Sequence, residues 1–443
     1  MLVRECPGGP ASLLTRGGRR GLIARSEGGS HAAAWVHRPE RVTRAGRWLP
    51  ASATPDAIRL LGGRALRGFA DGLVSVLLAS HLTALGFSPL EVSEIVTATL
   101  LGSAALTLAV GLAAHRLAAR RVLLSACVLM LATGLGFTWL TGFWPLLLLA
   151  VVGTLNPSAG DVSIFLPAEQ SLLAANVAEA DRTALFARFN LGGILLGALG
   201  ALATGIPRVA QRGRGFLVYT ATAAAIGVLY LGLRSGREPG ALDARAAPLQ
   251  RSRAIVLRLT ALFSLDSFGG GFVVDSLVAL WLSRRFDLSL AAIGAVFFAA
   301  RLLSALLQLV SARLAARIGL IQTMVYTHLP ANVLLIAAAL MPSASLAIAC
   351  LLGRMALSQM DVPARQSYVM AVVPVEERAA AASVTNVPRS LAAALTPLAA
   401  GALLATTSFG WPLVLGGAIK IAYDLLLLAQ FRSVPPSVEG SPA

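Results

Sequence analysis

Ionisable side chains buried deep within long apolar stretches are the residues of this chain best suited to chemistry. Asp266, Arg301, Arg354 and Arg389 each sit about ten to twelve residues inside such a stretch. A charge at that depth costs roughly 2.5–3.5 kcal/mol on insertion scales, so it faces a partner or a watery path. Arginine keeps its proton in proteins, and its planar fork grips a carboxylate or phosphate through two parallel hydrogen bonds. Three arginines against one aspartate leave two positive charges, which suits an anionic or zwitterionic group on a small organic substrate. The alternative is that all three serve backbone carbonyls and helix packing.

Asp71 and Asp161 offer a second chemistry. A buried carboxylate that exchanges a proton with water on either side can couple the movement of a solute to that of protons. Arg64, Arg67, Asp71 and Ser75 recur at three- and four-residue spacing on one helical face, so a structural Arg67–Asp71 pair is the alternative there. Asp161 follows Asn156-Pro157-Ser158-Ala159-Gly160, a polar and helix-weakening run that lipid would tolerate poorly. Pairing with nearby arginines is its alternative role. Lys420 and Asp424, one turn apart, are expected to neutralise each other, and Asp275, toward the end of its stretch, ranks below the others.

Other chemistries lack their residues. His31, His37, His81, His115 and His328 form no i,i+4 pair and no carboxylate-flanked box, so neither a metal site nor a histidine-based membrane enzyme is expected. Cys6, Cys127 and Cys350 are far apart and show no paired spacing. No Gly-x-x-x-x-Gly-Lys-Ser/Thr run occurs, and no cofactor is expected. The net charge of +16 is almost all arginine, Lys420 being the one lysine. Because these arginines cluster in particular links, no nucleic-acid partner is expected.

Helices in lipid must position these side chains. Of 443 residues, 56% are apolar and 13% charged, against roughly 25% charged in a soluble domain; mean hydropathy is +0.74. Apolar blocks of about 20 residues match the length that crosses roughly 30 Å of hydrocarbon. They predict an all-α membrane protein with twelve spans, at 66–86, 92–114, 122–141, 144–164, 184–206, 215–233, 255–282, 289–311, 319–341, 344–361, 380–405 and 411–431. The halves are 61–233 and 254–432, joined by a linker at 234–253. Residues 1–60 read as a disordered basic tail and 433–443 as a short C-terminal one.

Alternate links differ in charge. One side holds Arg116, Arg120, Arg121, Arg182, Arg188, Arg234, Arg237, Arg245, Arg251, Arg253, Arg313, Arg317, Arg365 and Arg378; the other holds Arg208, Arg212, Arg214, Arg284 and Arg285. The positive-inside rule assigns the richer side, and both termini, to the cytoplasm.

The chain is also duplicated. Pro167-Ala168-Glu169-Gln170-Ser171 returns as Pro363-Ala364-Arg365-Gln366-Ser367, and Asp181-Arg182 and Asn190 return as Glu377-Arg378 and Asn386. Arg116-Leu117-Ala118-Ala119-Arg120 returns as Arg313-Leu314-Ala315-Ala316-Arg317. Six being even, the two halves share an orientation and are related by a pseudo-twofold axis along the membrane normal.

With this layout the chain resembles the major facilitator superfamily over about 60–432. The family's diagnostic Gly-x-x-x-Asp-Arg-x-Gly-Arg-Arg motif lies between spans 2 and 3. Gly111, Arg116 and Arg120 match it, while His115, Ala118 and Ala119 replace Asp, Gly and Arg. The resemblance implies that Gly111, Arg116 and Arg120 form a cytoplasmic gate latching the halves, through arginines acting on span-end dipoles; a purely topological role is the alternative. It further implies alternating access, a small-molecule substrate held between the halves, and Asp71 and Asp161 on cavity-lining helices with protons as coupling ion. Span 5 carries Gly192, Gly193, Gly197, Gly200 and Gly205 without the Gly-Pro pair of the family's exporters, and glycines four apart predict close packing. The expected function is secondary transport of a small organic solute across the cell membrane, with lipid as surrounding partner. The alternatives are multidrug-type efflux of apolar compounds, a non-transporting receptor or sensor, and an integral membrane enzyme.

The charge count makes one direct prediction. A cysteine placed at Ala241, in a chain carrying Cys6→Ser, should resist an impermeant thiol reagent in intact cells and react once they are permeabilised. Labelling of intact cells would invert the topology.

Overall fold

The computed structural model describes residues 49–50, 52–112, 117–158, 163–178, 181–211, 213–234, 250, 252–374 and 377–431. Arg116, Asp161, the expected N-terminal tail up to residue 48, the C-terminal tail and most of the expected linker lie outside the described residues. Spans 1 to 3 are α1 (Pro55–Ala84), α2 (Pro89–Leu112) and α3 (Ala119–Trp139). Span 4, expected over 144–164, is helical only as α4 (Phe143–Val152); the described residues 153–158 and 163–164 are not helical, and a second helix, α5 (Phe165–Ala175), follows beyond the expected end. Span 5 is α6 (Arg182–Ala203); a short α7 (Pro207–Ala210) precedes span 6, α8 (Arg214–Leu231). In the second half, span 7 is split into α9 (Arg253–Gly271) and α10 (Asp275–Phe286), followed by α11 (Leu290–Ile318) and α12 (Leu320–Leu340). Span 10 is split into α13 (Ala344–Ser358) and α14 (Asp361–Val372), and α15 (Arg378–Thr406) and α16 (Trp411–Phe431) complete the bundle. Among the described residues, eleven helical stretches are long and apolar enough to cross a membrane, and α4 is a shorter apolar helix.

The breaks follow from the sequence. Proline lacks an N–H and its ring collides with the carbonyl four residues earlier, so a helix tolerates it best in the first turn. Pro167 is the third residue of α5 and Pro363 the third of α14. The repeat thus carries its own helix breaker, and both fourth spans restart around it. Span 7 breaks differently, after Gly269-Gly270-Gly271.

Caps explain where the spans begin. Thr54 caps α1, its Oγ1 accepting from the Ala57 N–H at 3.3 Å, with Pro55 at the first helical position. Ser88 and Glu91 form a capping box on α2: the Ser88 N–H donates to Glu91 Oε2 at 2.8 Å and the Glu91 N–H donates to Ser88 Oγ at 3.3 Å. Residues 52–60 therefore belong to the bundle rather than to the expected tail. Ser52 Oγ donates to Asp181 Oδ2 at 2.6 Å and Thr54 Oγ1 donates to Asn176 Oδ1 at 2.9 Å. The second half repeats the tie, with Ser252 Oγ donating to Glu377 Oε2 at 2.5 Å. Asp181 and Glu377 are the acidic residues matched by the internal repeat.

Small residues set the helix seams. No Cβ fits at Gly68 or Gly72, which lie against the backbone of Gly193 and Gly197 on α6, nor at Gly200, which lies against Phe69 of α1. Glycines four apart on both helices bring the backbones together, as expected for packing in lipid, where no hydrophobic effect drives helices together. Between the halves, Gly401 of α15 meets Ser93 and Pro89 of α2, while Gly294 of α11 meets Ala201 of α6. Both contacts lie toward the arginine-poor end, where Trp139 and Trp144 are about 70% exposed, as aromatic side chains at a membrane interface are.

Gly72→Val should cost about 1–3 kcal/mol of packing, because what it meets is backbone that cannot step aside. A lowered thermal midpoint in detergent, with Gly227→Ala unaffected as the control, is the expected result.

Candidate functional site

In the first half, Arg67 of α1 points at α5. Its Nη2 donates to Glu169 Oε2 at 2.5 Å and its Nη1 to Ser163 Oγ at 2.8 Å, and its guanidinium lies over the Phe165 ring at 5.1 Å. Tyr230 Oη of α8 donates to Glu169 Oε1 at 2.5 Å. Glu169 is fully buried and Arg67 2% exposed. Such a pair survives in lipid because both charges are compensated and hydrogen-bonded. The Arg67–Asp71 pair, the structural alternative for these residues, is not formed, since Glu169 offers Arg67 a carboxylate from another helix. Asp71 instead accepts from Asn156 Nδ2 at 3.5 Å, in the break of span 4.

The second half builds a longer network. Asp266 of α9 accepts from Lys420 Nζ of α16 at 2.6 Å and from Arg365 Nη1 of α14 at 3.3 Å. His328 of α12 stands between two carboxylates, its Nδ1 2.8 Å from Asp424 Oδ1 and its Nε2 3.7 Å from Asp266 Oδ1. Asn332 Nδ2, one turn on, donates to Asp424 Oδ2 at 3.0 Å. Lys420 and Asp424 therefore do not neutralise each other as expected. The Lys420 stem runs across Gly269 and Gly270, where the missing side chains leave room for it to reach span 7.

The two halves use one arrangement with the charges exchanged. Glu169 and Arg365 occupy the same position of the repeated pentapeptide, and each pairs with the first span of its own half. The first half places the cation on the span, the second the anion. Sequence reading missed Glu169, placed Arg365 among the link arginines, and passed over His328. The signal lay in the repeat itself, where Glu169 stands opposite Arg365 within an otherwise matched run. His328 carried no such signal, because its partner is 96 residues away.

At the junction of the halves, Arg301 of α11 donates from Nη2 to Asp275 Oδ2 at 2.6 Å and to Ser75 Oγ of α1 at 3.1 Å. Ser276 Oγ donates to the carbonyl oxygens of Ser75 and Pro157, both at 3.0 Å. Among the described residues, every hydrogen bond between the halves belongs to this cluster. Asp275, ranked low from its place in the sequence, is the counter-charge of Arg301, because the break of span 7 sets it at the start of α10. Arg301 is thus committed. Arg389 meets Ser267 Oγ from its Nε at 3.3 Å and Asn386 Oδ1 from its Nη1 at 3.4 Å, and Arg354 only Met355 Sδ at 3.1 Å. Neither has a carboxylate within 4 Å among the described residues, and both are half-buried.

The expected gate is described in part. Arg120 donates from Nη2 to the carbonyl of Leu231 at 2.8 Å, on the last residue of α8. A cation on the final carbonyls of a helix suits its dipole. This contact joins two spans of the same half rather than the two halves. Gly111 lies near the end of α2. No group of three or more potential metal ligands occurs among the described residues.

Arg67→Gln strands Glu169, and breaking a buried pair costs about 3–5 kcal/mol. Loss of monodisperse protein in size exclusion is expected. The exchange Arg67→Glu with Glu169→Arg reproduces the polarity of the second half and should recover much of the loss. Equal failure of the single and double variants would show that the order of charges is itself required.

The fold has close counterparts. The nucleoside transporter NupG superposes with a TM-score of 0.68 at 14% identity, covering 86% of this chain and all of that one. The human organic anion transporter MFSD10 (TETRAN) superposes with a TM-score of 0.61 at 16% identity, covering 85% of this chain and all of that one. An uncharacterized membrane protein of Saccharomyces cerevisiae, YJR124C, is 24% identical over 422 residues, 84% of this chain and 93% of the relative. The family model of the Major Facilitator Superfamily matches residues 60–360. With its helical spans, its duplicated halves and that match, the chain belongs to the Major Facilitator Superfamily of membrane transporters.

Proposed function

We propose that this transporter moves a small organic anion by alternating access, with the anionic group held between the halves on Arg354 and Arg389. The observation that carries the reading is the pair of half-buried guanidinium groups without a carboxylate within 4 Å among the described residues. Arginine cannot shed its charge on burial, and a carboxylate or phosphate would complete both forks. Arg301 and Asp266, grouped with them from sequence, act here as the frame, since each already has an opposite charge. MFSD10, an organic anion transporter with the same fold, is compatible with this class of substrate; NupG, a nucleoside transporter, represents the uncharged alternative.

Orientation and coupling extend the proposal. The arginine-rich end faces the cytoplasm of a cell-membrane protein with both termini inside, and Gly111, Arg116 and Arg120 belong to its gate. The junction at Ser75, Ser276 and Arg301 seals the arginine-poor half, which corresponds to a state closed to the outside. Protons are the coupling ion. Asp71, with its neutral Asn156 partner, and Asp161 carry this role in the first half. The chain from Asp424 through His328 to Asp266 supplies groups able to exchange a proton in the second.

The test is uptake into proteoliposomes under an imposed pH gradient, screened with small carboxylates, phosphates and nucleosides. Arg354→Lys and Arg389→Lys keep the charge but lose the fork, and each should raise KM for the transported anion by about tenfold, one good hydrogen bond's share. Unchanged KM in both variants, or transport of nucleosides alone, would reject the anion site.

A further inference from the structure

We propose that the lipid-facing groove between α2, α4 and α15 is a binding site for an aminophospholipid from the leaflet at the arginine-poor end. The groove has a volume of about 430 Å³ and is lined by Glu94, Thr97, Leu101 and Ala105 of α2, Val151 of α4 and Leu398 of α15. Its floor is tight, since Gly102 lies against the Val151 backbone with no room for a Cβ. Apart from its upper edge the lining is apolar, as an acyl chain requires.

Two polar groups at that edge lack partners. Glu94 makes no hydrogen bond or ion pair among the described residues, although it stands five residues inside a membrane-spanning helix. The Thr97 hydroxyl, one turn deeper on the same face, is buried and unpaired. An uncompensated carboxylate at the rim of the hydrocarbon calls for a cation. A primary ammonium can donate to both oxygens at once, whereas a quaternary ammonium has no N–H to give. The dimensions agree with a lipid. Glu94 to Ala105 spans eleven residues, about 16 Å at 1.5 Å per residue, close to one leaflet of a hydrocarbon core roughly 30 Å thick.

The groove straddles the seam where Gly401 of α15 meets Ser93 and Pro89 of α2. A lipid held by both sides binds the closed seam better than an opened one, and so favours the state closed at the arginine-poor end. This reading stands independently of the substrate proposed above.

Native mass spectrometry of the full-length protein, delipidated and then exposed to lipids of equal chain length, tests it. The unaltered protein should retain phosphatidylethanolamine about tenfold over phosphatidylcholine, the equivalent of one charge-assisted hydrogen bond at about 1.4 kcal/mol per decade. Glu94→Gln should bring the two lipids to parity, and Leu101→Trp, which fills the groove, should abolish retention of both. Glu91→Gln on the same helix keeps its capping role and should change nothing. Parity in the unaltered protein, or a preference that survives both Glu94→Gln and Leu101→Trp, would overturn the site. Displacement of the lipid by soluble phosphoethanolamine would show that a free amine rather than a lipid is the occupant.

Discussion

A charge placed in hydrocarbon must find its counter-charge within the protein, and the pairing of Arg67 with Glu169 shows how much of the fold serves that requirement. Glu169 can reach Arg67 because span 4 breaks and restarts as α5, and the restart lies where Pro167 can be accommodated in a first turn. Tyr230 then takes the other carboxylate oxygen, tying span 6 to the same point. The second half meets the same demand with Asp266, Arg365 and the restart at Pro363, and enlarges it with Lys420. Irregular backbone in a membrane is tolerable only where protein surrounds it. Here the breaks are the means by which the buried charges are matched.

Glycine seams complement the charges. Helices α1 and α6 approach closely along Gly68, Gly72, Gly193 and Gly197, which makes that pair the rigid spine of the first half. The halves themselves meet along α2 with α15 and α6 with α11, where small residues such as Gly401 and Gly294 let the helices approach, and through a polar cluster of two serines and an arginine. Charge networks confined to each half suit two bodies that move against each other while each keeps its own network intact.

Span layout, duplication and charge bias were legible in the sequence because they are properties of composition along the chain. Mean hydropathy marks the spans whatever surrounds them, and the run from Asn156-Pro157 marked the break of span 4, whereas the restarts at Pro167 and Pro363 were not read from the sequence. The pairing of charges was not legible, because it belongs to neighbours that the chain order does not bring together. Spacing of four residues placed Asp71 next to Arg67 and Asp424 next to Lys420, yet long side chains reached across to other helices that offered better partners. Asp275 looked peripheral by counting residues from the span's end. Only the break after Gly271 makes it the first residue of a new helix, in reach of Arg301. The exception is Glu169 opposite Arg365, where comparing the repeats at unlike positions, rather than like ones, would have exposed both pairs.

The exchanged polarity of those pairs has an electrical consequence. A twofold axis along the membrane normal preserves the normal component of a vector and reverses its in-plane components. With the charges also exchanged, the normal components of the two pair dipoles oppose each other and the in-plane components add. A transmembrane voltage acts on charge displaced along the normal, about 2.3 kcal/mol per elementary charge per 100 mV. Equal tilting of the two halves therefore drives no net charge through that voltage on account of these pairs, while their summed lateral dipoles lay a sideways field across the space between the halves. These two pairs add no voltage dependence of their own, which leaves it to the charges outside them, Arg354 and Arg389 among them.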